Sequence, residues 1–292
     1  SDLVASGTRA ILVIDNCPPE THKQLADVAN AAGSTISVIT VEYDIREDQP
    51  EGTDVFSLET SSLPLIEKLV RGRFPDLSQV DAGTIAEFSG GNARIALALA
   101  GTVKKSETVS GLTNTELFTR LFQQRHGHDA GLLQIAEACS LVYSFEGEAL
   151  TGENAELPVL GGLIGKTAQE VFTAAAELKR RDLLQQRRQW RAVLPHAIAN
   201  RLAAMALQNI PYAVIEAAIV RGSSERLLRS FSRRLGYLDG SKEAQAIVQG
   251  WLTKDGLLAD VLDFNELGRA MFENVAPVLP EATLAALENV FG

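Results

Sequence analysis

Near the start of the chain four aliphatic residues, Ile11, Leu12, Val13 and Ile14, run straight into Asp15. A run this short and this rich in branched side chains predicts a parallel-sheet strand buried on both faces. Apolar positions at helical spacing follow at Leu25, Val28 and Ala29. Pro19 suits the first turn of that helix and Gly33 stops it. Residues 35–43 read as a second strand, and a short third strand is expected over 55–58. Strand, helix, strand at this spacing predicts a parallel βαβ unit with a right-handed crossover.

Beyond residue 58 the pattern is mostly helical. Helices are expected over 65–70, 81–88 and from Asn92, then over 132–142, near 157–160 and from Thr167. A short β-ribbon should precede Leu194 and Pro195. Further helices are expected over 212–220, 224–238, 243–252, 265–272 and 281–291, separated by Gly, Asp and Pro. The fold class read from this pattern is α/β followed by all-α. Its expected units are 1–58, a partial α/β sheet; 59–112, a helical lid; 113–207, three helices and a ribbon in the order of a winged helix; and 208–292, a helical array.

Composition narrows the classes. The chain has 292 residues, 46% hydrophobic and only 6% aromatic, which suits a helical protein with a sizeable core. No apolar run approaches a membrane span and no secretory leader is evident. Cys17 and Cys139 lack metal-ligand spacing, so a reduced, cytoplasmic setting is expected. A net charge of −10 argues against a wholesale nucleic-acid coat, though not against a local basic patch. The opening residues Ser1 to Gly7 read as the tail of an element, so a fragment of a longer protein is expected.

Several residues carry candidate chemistry. An acid at the carboxyl end of a parallel strand stands where open α/β sheets bind ligands, which makes Asp15 a candidate for catalysis and for Mg²⁺. Asn16 follows it as a second candidate for catalysis. Arg46 lies just past the second strand, on the same ligand edge. Gly90-Gly91-Asn92-Ala93-Arg94 turns into a helix whose N-terminus favours anions. His196 starts a helix after the ribbon. Lys179, Arg180, Arg181, Arg187, Arg188 and Arg191 form a basic cluster able to attract phosphates. Gly161-Gly162-Leu163-Ile164-Gly165-Lys166-Thr167 mimics a phosphate-binding loop, but Leu160 stands where the first Gly is required. It is read as a tight turn into the third helix of the ribbon unit.

The order of sheet, helical lid, winged helix and helical array resembles the STAND branch of P-loop NTPases, the NACHT- and NB-ARC-type switch proteins. Asp15-Asn16-Cys17-Pro18-Pro19 and the loop Glu42-Tyr43-Asp44-Ile45-Arg46-Glu47-Asp48 look like those of bacterial STAND proteins of antiviral defence. Gly91-Asn92-Ala93-Arg94 resembles the second sensor of AAA+ ATPases, and His196 matches a nucleotide-contacting His at the end of the winged helix. The resemblance implies a switch closed by ADP and opened by ATP with Mg²⁺, which self-associates when triggered. Arg46, Arg94 and His196 would be its nucleotide contacts. It also implies a phosphate-binding strand and loop, and an effector, outside this sequence. A rival is an AAA+ initiator- or regulator-like protein whose winged helix binds DNA through the basic cluster. A third class is a scaffold fragment that binds no nucleotide.

Overall fold

The computed structural model describes residues 7, 9–15, 17, 19–41, 53–54, 56, 61–105, 107–122, 130–181, 183–253 and 255–291. The chain is mixed α/β and mostly helical, with a small parallel and a small antiparallel sheet. It divides into two compact units, Ser1–Glu59 and Thr60–Gly292.

In the first unit β1 (Ala10–Asp15) pairs in parallel with β2 (Ile36–Val41), joined through α1 (Pro19–Ala29). Ala10 stands opposite Ile36 and Asp15 opposite Val41. Gly33, at φ +84°, turns the chain between helix and strand. The expectation that β1 is buried on both faces is not met. Ile11 and Val13 are 68% and 67% exposed, and Ile39 and Val41 share their exposure. Successive strand residues point to opposite faces, and one crossover helix can cover only one face of two strands. The rest of the expected second strand, beyond Val41, lies outside the described residues, as does almost all of the third at 55–58.

The second unit begins with α2 (Leu63–Arg73), α3 (Gln79–Ser89) and α4 (Ala93–Ala100). Each start is fixed by sequence. Pro64 lies in the first turn of α2, Ser78 caps α3 through the Asp81 amide, and Asn92 caps α4 through the Ile95 amide. Asp81 is buried, and its carboxylate accepts from the Ser78 and Thr108 hydroxyls and the Val109 and Ser110 amides. One acid thereby ties the 108–110 segment to α3.

Next come α5 (Asn114–Phe122), α6 (Ala130–Ser140), β3 (Phe145–Glu146), α7 (Leu157–Gly162), α8 (Ala168–Arg180), β4 (Leu184–Arg187) and β5 (Trp190–Val193). The strands form an antiparallel sheet in the order β3-β5-β4, with Gln186 opposite Arg191 and Phe145 opposite the same residue. Thr167 and Glu170 form a capping box at α8. Leu132, Ile135, Cys139, Leu160, Val171, Leu178 and Val193 join one core that continues from Ile66 to Val278.

The remaining helices are α9 (His196–Asn209), α10 (Tyr212–Ile215, running into a π-helical turn at Glu216–Val220), α11 (Glu225–Leu235), α12 (Lys242–Leu252), α13 (Glu266–Val275) and α14 (Pro280–Phe291). The buried Glu156 carboxylate holds the Arg226 guanidinium at 2.6 and 2.5 Å, and Arg226 stacks over Trp190. This pair fastens α11 to the antiparallel sheet. Among the described residues no single helix is long and apolar enough to cross a membrane.

Candidate functional site

At the carboxyl edge of the parallel pair, Asp15 closes β1 opposite Val41. Asn16 and Arg46 lie outside the described residues. Sequence reasoning passed over His22, which lies on α1 and is buried. Its Nδ1 meets the Thr40 hydroxyl at 2.8 Å and its Nε2 the Thr53 hydroxyl at 3.2 Å. Thr40 pairs with the residue before Asp15, so this imidazole pins the crossover helix at the edge where Asp15 ends its strand. Its sequence signal is only a polar residue at a helical core position.

In the second unit the lid turn and the start of α9 meet. Gly90 ends α3 at φ +57°, and Gly91 follows at +83°. A Cβ on Gly90 would lie 2.6 Å from the Cβ of Ala197. Only glycine supplies both the left-handed backbone and the missing methyl. One turn further along α9, Arg201 donates to the Phe88 and Glu87 carbonyls at 2.6 and 2.7 Å. These are terminal carbonyls of α3, which lack partners inside their helix. Thus the turn that leads to Arg94 is clamped against the helix that begins at His196. Two of the expected nucleotide contacts therefore sit on adjoining elements, although 102 positions separate them in sequence (196 − 94).

His196 is exposed and packs in an aromatic group. Its Nε2 lies 3.2 Å from the Tyr143 hydroxyl, its ring stacks on Tyr143 at 4.9 Å, and Tyr237 lies nearly parallel at 6.3 Å. Tyr143 follows α6 and Tyr237 follows α11, so the segments after these two helices converge on the start of α9. The Arg233 guanidinium lies over the Tyr143 ring at 4.0 Å. Below it Arg234 is fully buried and donates from Nη1 to the Asn200 side chain. Its Nε and Nη2 have no hydrogen-bond partner. Burial pushes its pKa down to about 10, so it remains a cation at neutral pH. The signal of Arg234 in the sequence is helical spacing, three residues after Phe231 and seven after Leu227, which puts it on the buried face of α11 while Arg233 is half-buried.

The loop at 161–167 holds no phosphate cradle. The Lys166 amide donates to the Gly161 carbonyl at 2.8 Å. The Thr167 hydroxyl is engaged with Glu170, and Lys166 Nζ pairs with the same carboxylate at 2.9 Å. The Lys166 ammonium and the Thr167 hydroxyl thus serve Glu170, and the Ile164, Gly165 and Lys166 amides serve carbonyls of the same turn.

The six-residue basic cluster does not form one surface. Arg191 is 6% exposed, with its guanidinium 4.7 Å from the Phe172 ring centroid. It passes where a Cβ on Gly147 would collide with it, and burial pushes its pKa down. The expectation that Arg191 touches DNA is therefore corrected: it faces inward because β5 alternates sides. Arg181 bonds Glu177 and the Phe122 carbonyl, Arg180 pairs with Glu177, and Lys179 reaches Gln186. Lys179, Arg180 and Arg188 are exposed, and Arg187 is half-buried.

Among the described residues no group of three or more His, Cys, Asp or Glu side chains is placed to hold a metal ion. Comparison with known protein families, characterised proteins and solved structures finds no match for this chain.

Proposed function

We propose that this chain is the core of a nucleotide-governed switch of the STAND class, working in the cytoplasm and self-associating when activated. The observation that carries the reading is the clamp between the Gly90–Gly91 turn and Ala197. It brings the anion-favouring start of α4, with Arg94, beside the start of α9, with His196. Further support comes from the parallel β1–α1–β2 unit ending in Asp15, and from the helix-strand-helix-helix-strand-strand order at 130–193, which is that of a winged helix. In this reading Arg94 and His196 hold phosphate oxygens in the closed state, and Asp15, on the other unit, is a separate candidate for Mg²⁺.

The residues present do not complete an ATP site. Asp15 is one acid, and the described residues contain no loop of backbone amides to cradle phosphates. The open apolar face of Ile11, Val13, Ile39 and Val41 is suited to a further strand that would carry such a loop. Fast hydrolysis is not part of the proposal, because Asn16 stands where a water-aligning acid would be. The decisive experiment is to purify the protein and assay bound nucleotide and assembly state. Bound ADP, with assembly on exchange for ATP, supports the switch; a nucleotide-free protein indifferent to both rejects it.

The DNA-binding alternative draws on the same winged-helix order. Against it, the exposed positions of α8 include Gln169, Glu170 and Thr173 as well as Lys179 and Arg180. The Thr167 amide and hydroxyl together with Lys166 hold the Glu170 carboxyl down at about 2, so it is a permanent negative charge there. A carboxylate on the helix that would enter the groove repels phosphate.

A further inference from the structure

A buried cation without a counter-charge costs more than an ordinary fold tolerates. Arg234 is such a group: no part of it is exposed, and among the described residues Nε and Nη2 find no acceptor. The ionisable groups that act on it are the phenols of Tyr143 and Tyr237 and the like charge of Arg233, with no carboxylate among them. Its one hydrogen-bond partner, Asn200, lies four residues after His196 and so on the same face of α9. Arg234 therefore sits one turn beneath the start of a 14-residue helix whose N-cap, Pro195, offers no capping side chain. The Arg233 and Arg234 guanidiniums lie 4.0 and 5.5 Å from the centroid of the Tyr143 ring, which stacks on His196 at the positive end of that helix.

We propose that Tyr143, His196, Asn200, Arg233, Arg234 and Tyr237 form a binding site for an oxyanion, the phosphate group of a phosphate-bearing ligand. His196 and Tyr143 form its outer layer, closed by their single hydrogen bond of 3.2 Å. Opening that contact exposes Nε and Nη2 of Arg234, which present the fork that matches two oxygens of one phosphate. The rings line the entrance. This site asks nothing of residues 1–59 or of Arg94; it shares His196 with the switch reading, and the Arg234 variants test it apart from that reading.

The test uses the 292-residue chain with inorganic phosphate, pyrophosphate and ADP as probes, by calorimetry and by the imidazole resonance of His196, assigned by its loss in His196→Ala. Pyrophosphate should bind with a Kd on the order of 1 mM and move the His196 resonance. Arg234→Met should weaken it at least tenfold. Arg234→Lys, which keeps the charge but loses the fork, should bind between the two and guards against a Met variant that fails to fold. ADP tighter than pyrophosphate identifies a nucleotide as the source of the phosphate; equal affinity identifies the free oxyanion, and either result upholds the site. No binding of any probe, a stationary His196 resonance, or full affinity in Arg234→Met or Arg234→Lys overturns it.

Discussion

Gly90 and Ala197 lie so close that one methyl group on the glycine would stand 2.6 Å from the Ala197 Cβ. This contact sets the distance between the turn that leads to Arg94 and the helix that starts at His196. Gly90→Ala should therefore cost about 1–3 kcal/mol, from the left-handed backbone and the overlap together. Gly83, inside α3, has nothing within 4 Å of its Cβ position. Gly83→Ala should stabilise by about 0.5–1 kcal/mol. Urea denaturation of both variants checks the pair, and equal effects would contradict the close approach.

Arg201 caps α3 from a distance of 113 residues. Arg201→Met keeps much of the stem but removes the donor to the Phe88 carbonyl and leaves the Glu87 carbonyl with the Gly90 amide. A loss of about 1.5–3 kcal/mol is expected, as for a hydrogen bond to a charged group. Hydrogen exchange should speed up selectively at the end of α3, while a uniform change along the chain would deny the cap.

Asp81 gives the fold a pH dependence of definite sign. Burial opposes its ionisation, but the bonds from Ser78, Thr108, Val109 and Ser110 win and hold its carboxyl below the ordinary 3.8. A depressed folded pKa contributes stability above the unfolded value and loses it as pH falls through the folded one. Asp81→Asn should be less stable than the parent at pH 7, and the difference should shrink in acid below pH about 4. Thermal melts across that range measure it; a gap that widens on acidification would contradict the assignment.

Much of the fold was legible in local sequence. The apolar runs ending at Asp15 and Val41, Pro19 at a helix start, Asn92 as a cap and Thr167 with Glu170 all mark elements that form where expected. The helix Asn114–Phe122 was not foreseen, although Thr113 and Glu116 form the same kind of box, with the Thr113 amide donating to Glu116 at 2.7 Å. The exposure of Ile11 and Val13 could not be read, because an apolar run reports propensity and not the number of strands beside it. Arginines were the weakest point. Arg191 and Arg234 are buried beside exposed or half-buried cations, and only strand alternation and helix packing decide which is which. The meeting of the Arg94 turn with the His196 helix joins segments about a hundred residues apart and rests on a missing methyl group that no periodicity reveals.

Alone, the 292-residue chain should bind ATP without micromolar affinity. A backbone cradle, which the described residues do not form, would supply several charge-assisted hydrogen bonds of about 1.5–3 kcal/mol each. Calorimetry giving a micromolar Kd would mean that the site is already complete within these residues.

The account rests on Arg94 and His196 acting together on a nucleotide, and the release rate of fluorescent ADP from the intact protein tests this most directly. Arg94→Ala and His196→Ala should each speed release roughly ten- to a hundred-fold, since each removes one charge-assisted bond of about 1.5–3 kcal/mol. Arg188→Ala, on the exposed ribbon turn, should leave it unchanged. Release unaltered in both site variants would contradict the nucleotide switch and return His196 to a helix-start residue held by Tyr143.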